Sequence, residues 1–199
     1  ILQEVVGTQY NDRYYPSFAG VGRSINYYPI NDEKAEDGVV DLAIGLGKYI
    51  VDGGRSLRFS PRHPNKVLQT STLDLALRDT QTRFYALDMN RGEKPFSIDD
   101  GFNLLKLSVR DAEKDNSLRL MVSTYDPVDQ MIRDGYYDGG RKVVTFANIL
   151  QHKAFPLASI LDSMLTIGSR EMGRPVEIEF AGNLVGSGNT PGTVYWLQI

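Results

Sequence analysis

The passage from residue 156 to the last residue constrains the fold most. Leu157, Ile160, Leu161, Met164 and Leu165 recur at helical spacing, Pro156 precedes them, and Gly173 followed by Pro175 ends the run. This predicts a helix over Leu157 to Met172, amphipathic along one stripe. Val176-Glu177-Ile178-Glu179-Phe180 then alternates strictly between apolar and acidic residues, and Thr193 to Ile199 reads as a further strand after a loop from Gly182 to Gly192. A long amphipathic helix beside alternating strands requires a sheet with at least one covered face, which places the chain in the α+β class.

The rest of the chain reads as mostly strand. Ile1 to Val6, closed by Gly7, is short, apolar and β-branched at its end, and predicts a strand. Phe18 to Tyr28, stopped by Pro29, predicts a second strand that forms a hairpin with the first. The apolar run within Asp37 to Asp52 fits a buried strand or a buried helix; strand followed by helix is the reading taken. Ser56 to Ser60 predicts a strand ended by Pro61 and Pro64. Between residues 61 and 152 the pattern predicts a helix at Thr72 to Arg78 and strands at Arg83 to Met89, Phe102 to Val109, Leu118 to Thr124 and Lys142 to Phe146. Their short links favour antiparallel pairing, so this stretch reads as a β-rich insertion. The charged run Arg110 to Asp115 reads as a solvated turn. The architecture expected is a mixed, mostly antiparallel sheet flanked by a few helices, in one domain over residues 1–199.

Composition narrows the function. A net charge of -3 gives no basic field to gather nucleic acid or an anionic membrane surface. No run of roughly 18 apolar residues occurs, so no membrane span is expected. Cysteine is absent, which removes disulfides, thiolate metal sites and thiol nucleophiles, and fits a reducing compartment; cytoplasm is the expected address. The chain begins at Ile1 without methionine and stops at Ile199 within a strand pattern, so both ends read as cut from a longer protein.

The alternation at 176–180 sets Glu177 and Glu179 on one face, about 7 Å apart. Two carboxylates so placed can share a hard cation; the same pattern also describes any half-buried strand whose wet face is acidic. Gln198 joins that face when odd positions of the first strand lie opposite even positions of the last. That register gathers Val176, Ile178 and Phe180 with Tyr195, Leu197 and Ile199 into one apolar surface. His63 and His152 are isolated from any nucleophile or metal motif and read as structural. Gly45 and Gly47 do not extend into a dinucleotide-binding pattern. The paired tyrosines 14–15, 27–28 and 136–137 lack the basic groove that base stacking needs, and read as half-buried packing.

Taken in order, Ile1 to Gly7, Phe18 to Ser24, Gly45 to Gly54, Arg174 to Phe180 and Trp196 to Gln198 resemble the blocks of the ATP-grasp nucleotide-binding domain of phosphoenolpyruvate synthases and pyruvate phosphate dikinases. Residues 61–152 then correspond to an elaboration of one branch. The resemblance implies that Glu4, Val5 and Val6 present main-chain groups to the adenine edge of ATP. It implies that Glu177 and Glu179 hold magnesium at the ATP phosphates, and that Gln198 supports them. Arg23, among small residues, is a candidate phosphate contact or one half of a surface ion pair. The implied partners are an amino-terminal subdomain bearing the basic residues that clasp phosphate, a phosphohistidine domain and a pyruvate-binding domain; without them the chain alone is expected to be inactive. Two departures stand out. Lys48 follows Gly-Leu-Gly where the synthase branch often has glutamate, and the chain stops before the arginine of the terminal Gln-x-Arg-Pro pattern. The alternatives are a non-catalytic nucleotide-sensing or interaction module, and a related dikinase with another acceptor, such as an antibiotic or a glucan.

Overall fold

The fold is taken from a computed structural model that describes residues 2–90, 98–99, 101–184 and 192–199. It is a mixed α+β structure in which, among the described residues, twelve strands form three antiparallel sheets with five short or medium helices around them. The central sheet has the order β12-β11-β3-β4-β5, built from β3 (Phe18–Arg23), β4 (Val39–Ala43), β5 (Leu57–Phe59), β11 (Glu177–Asn183) and β12 (Thr193–Gln198). A second sheet, β1-β2-β6-β7, joins a hairpin of β1 (Thr8–Tyr10) and β2 (Arg13–Tyr15) to β6 (Arg83–Asp88) and β7 (Leu104–Ser108). The third sheet is β10-β8-β9, from β8 (Val122–Asp126), β9 (Met131–Asp134) and β10 (Arg141–Val144). The helices are α1 (Lys48–Val51), α2 (Leu73–Asp79), α3 (Val109–Glu113), α4 (Ala147–Leu150) and α5 (Leu157–Met172).

α5 spans the residues its periodicity predicts and ends at Gly173, whose φ of 63° turns the chain out of the helix. It buries Leu157, Leu161 and Leu165, each contributing about 2 kcal/mol of transfer free energy. These side chains cover the face of the central sheet formed by Ile178 and Phe180, both fully buried, and by the glycines of β3. Gly20 lies opposite Phe180 in the ladder, and a Cβ there would stand 2.3 Å from Phe180 Cζ, so its missing side chain lets the ring lie on the strand. Alternation sends Glu177, Glu179, Val21, Arg23 and Asp41 to the other face.

Several expectations need correction. Residues 2–7 are extended but unpaired in any sheet, and Ile1 lies outside the described residues; the first strand is instead Thr8–Tyr10, in a hairpin with Arg13–Tyr15. β3 therefore pairs with β4 and β11, not with the chain's opening residues, and ends at Arg23, five residues early. Beyond it, Asn26 Nδ2 and the Ile30 N–H both donate to Glu33 Oε2, folding 26–33 into a loop that leaves Tyr27 and Tyr28 exposed. Arg110 to Asp115 is not a solvated turn. Ser108 caps α3 there, and the buried Asp115 carboxylate accepts from Tyr15 Oη at 2.7 Å and from Arg13. Leu118–Met121 is a turn, so the strand expected at Leu118 starts at Val122. Within residues 61–152, β6 completes a sheet with the opening hairpin, and Tyr15, Phe84, Val109 and Phe146 share one buried core with α5.

Candidate functional site

The polar face of the central sheet meets the second sheet across a cavity of about 520 Å³. Its floor is Val21 of β3, Glu179 of β11 and Leu197 of β12. One wall is the turn Leu46-Gly47 with Lys48 and Val51 of α1, and the facing wall is Leu87 of β6 with Asn103 and Leu104. Val5 closes one end and also borders a smaller adjoining cavity of about 190 Å³, lined by Glu4, Val6, Ala181 and again Leu46 and Leu197. The enclosure is apolar with three polar side chains, Lys48, Asn103 and Glu179, which is the make-up of small-molecule sites.

Local geometry explains the walls. Gly45, at φ 83°, turns the chain sharply out of β4; a Cβ would sit 2.6 Å from Tyr85 O, and the turn lets the Leu46 N–H donate to that carbonyl at 3.0 Å. The turn thus fixes Leu46 and Lys48 against the second sheet. The extended 2–7 segment is held by side chains in place of a ladder. Tyr14 Oη donates to Val5 O at 2.8 Å, Gln3 Nε2 to Leu197 O at 3.2 Å, and Asn183 Nδ2 to Gly7 O at 3.1 Å. Burial, followed by the neighbouring Glu4 charge, pushes the Tyr14 hydroxyl pKa up, which keeps it a donor. Val5 O retains a second lone pair for another donor.

Glu179 lies opposite Gln198 in the ladder, the register expected to place the two on one face. The register then shifts, and Phe180 faces Trp196, leaving Leu197 as the extra residue of a β-bulge. The shift takes Tyr195 and Leu197 out of the expected apolar surface but leaves Ile199 on it. Trp196 takes the position opposite Phe180, its ring and the Ile199 side chain approach Gly168 of α5, and Leu197 lines the cavity with Glu179.

The two glutamates are not equivalent. Glu179 lines the cavity, whereas Glu177 accepts from Arg23 Nε at 2.5 Å. The same guanidinium donates to Asp41 Oδ2 at 3.0 Å, and Asp41 also accepts from Ser56 Oγ. Arg23 is thus held between two carboxylates as an ion pair, outside the cavity lining. His63 and His152 bond to Asp37 and Asp134 respectively, at 3.1 and 2.9 Å, away from the cavity.

The described residues contain no group of three or more His, Cys, Asp or Glu able to hold a metal alone. Magnesium commonly takes one or two carboxylates and completes its shell with water and substrate phosphates. Of the residues expected at a metal, Glu179 lines the cavity, Gln198 lies opposite it in the ladder but is not in the lining, and Glu177 is engaged by Arg23. Pattern reading missed Leu87, Asn103, Leu104 and Val51, because no local signal marks residues that become a wall only when two sheets close on each other. Among the described residues no helix is long and apolar enough to cross a membrane. No family model, curated protein or solved structure matches the chain.

Proposed function

We propose that this chain is the adenine- and magnesium-holding part of an ATP-grasp dikinase resembling phosphoenolpyruvate synthase. The observation that carries the reading is the convergence of Val5 and Glu179, from distant parts of the sequence, on one apolar cavity, with Gln198 directly opposite Glu179. The aliphatic walls from Val21, Leu46, Leu87 and Leu197 exclude water from a base, and main-chain groups around Val5 meet its polar edge. Magnesium, when bound, neutralises phosphate charge. Glu179, on the cavity floor, is the residue that would hold it, while Arg23 keeps Glu177 in an ion pair. In the whole enzyme a phosphoryl group from ATP would pass through a phosphohistidine to pyruvate on separate domains, so this chain alone is expected to turn nothing over.

Calorimetry tests the reading. The chain should bind ATP saturably in the presence of magnesium and bind UTP more weakly, and Glu179→Gln should remove most of the magnesium dependence. Absence of saturable ATP binding at low-millimolar ligand would overturn it. The second reading, a nucleotide-sensing module, is favoured by Lys48 on the cavity wall where the resemblance has glutamate. It requires magnesium-dependent affinity to be indifferent to Glu179→Gln, with nucleotide binding retained.

A further inference from the structure

We infer that Lys48 is the residue through which the cavity distinguishes a phosphorylated nucleoside from an unphosphorylated one. This deepens the nucleotide reading above and rests on it. Among the described residues lining the cavity, Lys48 is the one cation, and it shares that lining with a single carboxylate, Glu179. Gly45 and the Leu46 N–H bond to Tyr85 O set the start of α1, so the lysine is carried on a fixed turn. Its ammonium donates to Asp52 Oδ1 at 3.0 Å, one helical turn on.

The hydrogen bond from Lys48 holds the Asp52 carboxyl below the usual carboxylate range, and Lys106 adds a second positive charge acting on the same group. Lys106 stands 5.8 Å from the centre of the Tyr85 ring, beside the same turn. The Lys48 ammonium thus stands on the cavity wall, with Glu179 on its floor. Lys48 is 40% exposed, and a solvated pair four residues apart in a short helix is weak. A phosphate arriving at the rim offers the ammonium several strong acceptors and displaces Asp52 readily.

The test compares adenosine with magnesium–ATP on the wild-type chain and on Lys48→Ala, Lys48→Arg and Lys48→Glu, by calorimetry, after circular dichroism shows matching melts. A charge-assisted contact of ordinary strength predicts that Lys48→Ala weakens ATP binding by about tenfold or more while adenosine changes by less than about twofold. Lys48→Arg should retain most ATP affinity and Lys48→Glu should lose more than the alanine variant. Equal ATP affinity of wild type and Lys48→Ala, or parallel loss of adenosine and ATP, would overturn the inference while leaving the nucleotide site standing. Failure of the wild type to bind either ligand would overturn both.

Discussion

The side-chain amide of Gln81 grips both main-chain groups of Ile44: Oε1 accepts from the N–H at 2.8 Å, and Nε2 donates to the C=O at 3.0 Å. Nε2 also reaches Arg83 O at 2.9 Å, so one buried residue satisfies the end of β4 and ties it to the start of β6. This clasp joins the two sheets that wall the cavity. Gln81→Leu keeps the volume and removes three hydrogen bonds, leaving buried backbone groups unmatched. We expect a loss of about 2–4 kcal/mol by urea titration, with Gln81→Glu costing as much because it abolishes the donor half.

Tyr15 is fully buried, and its hydroxyl bonds Asp115 and Ser117. Desolvation, with Asp115 adding, raises its pKa well above that of free tyrosine. A group whose folded pKa is raised supports the fold fully below its unfolded pKa and withdraws that support as pH climbs beyond it. Stability should therefore decline from about pH 10 upward. Tyr15→Phe should flatten that alkaline limb, at a cost of about 1–2 kcal/mol at neutral pH. Thermal melts between pH 8 and 11 read both effects.

At the acid end Asp37 plays the opposite part. Its carboxylate accepts the Lys34 N–H at 2.8 Å and contacts His63 and Arg62. The backbone bond first, and His63 and Arg62 after it, hold its pKa below the ordinary value. Its contribution is thus present above about pH 4 and disappears as pH falls through the folded value. Asp37→Asn should lower the melting temperature at pH 7 and leave a shallower acid limb, measured between pH 2.5 and 7.

Gly45→Ala should be costly although the change adds one methyl. The residue sits at φ 83°, and the new carbon would meet the Tyr85 carbonyl, which is backbone and cannot rotate away. We expect about 2–3 kcal/mol of destabilisation and a displaced Leu46–Lys48 turn. Nucleotide affinity should fall in the same variant, because that turn forms one cavity wall.

Local pattern was sufficient for the elements that carry their own signal. α5 has five apolar residues at helical spacing between Pro156 and Gly173, and both its ends fall where those residues place them. The alternation at Glu177–Phe180 and the strand-then-helix order from Val39 to Val51 rest on similar signals. The opening residues misled because apolar and β-branched character describes an extended segment whether or not a ladder forms. Here Tyr14, Gln3 and Asn183 supply the bonds that a neighbouring strand would have given. Arg110 to Asp115 misled because composition shows charge but not where it points, and Asp115 turns inward to Tyr15. The pairing of Glu179 with Gln198 was legible from face arithmetic, whereas the bulge at Leu197 was not, since a one-residue slip carries no local mark.

The bonds Gln3–Leu197 and Asn183–Gly7 span 194 and 176 positions of chain. Closing so long a loop is among the slowest and entropically dearest steps available to a polypeptide of this size. The cavity between the sheets should therefore be the last part of the molecule to assemble and the first to open. A compound that settles there would act as a clamp on the whole fold, slowing its proteolysis far from the place it touches.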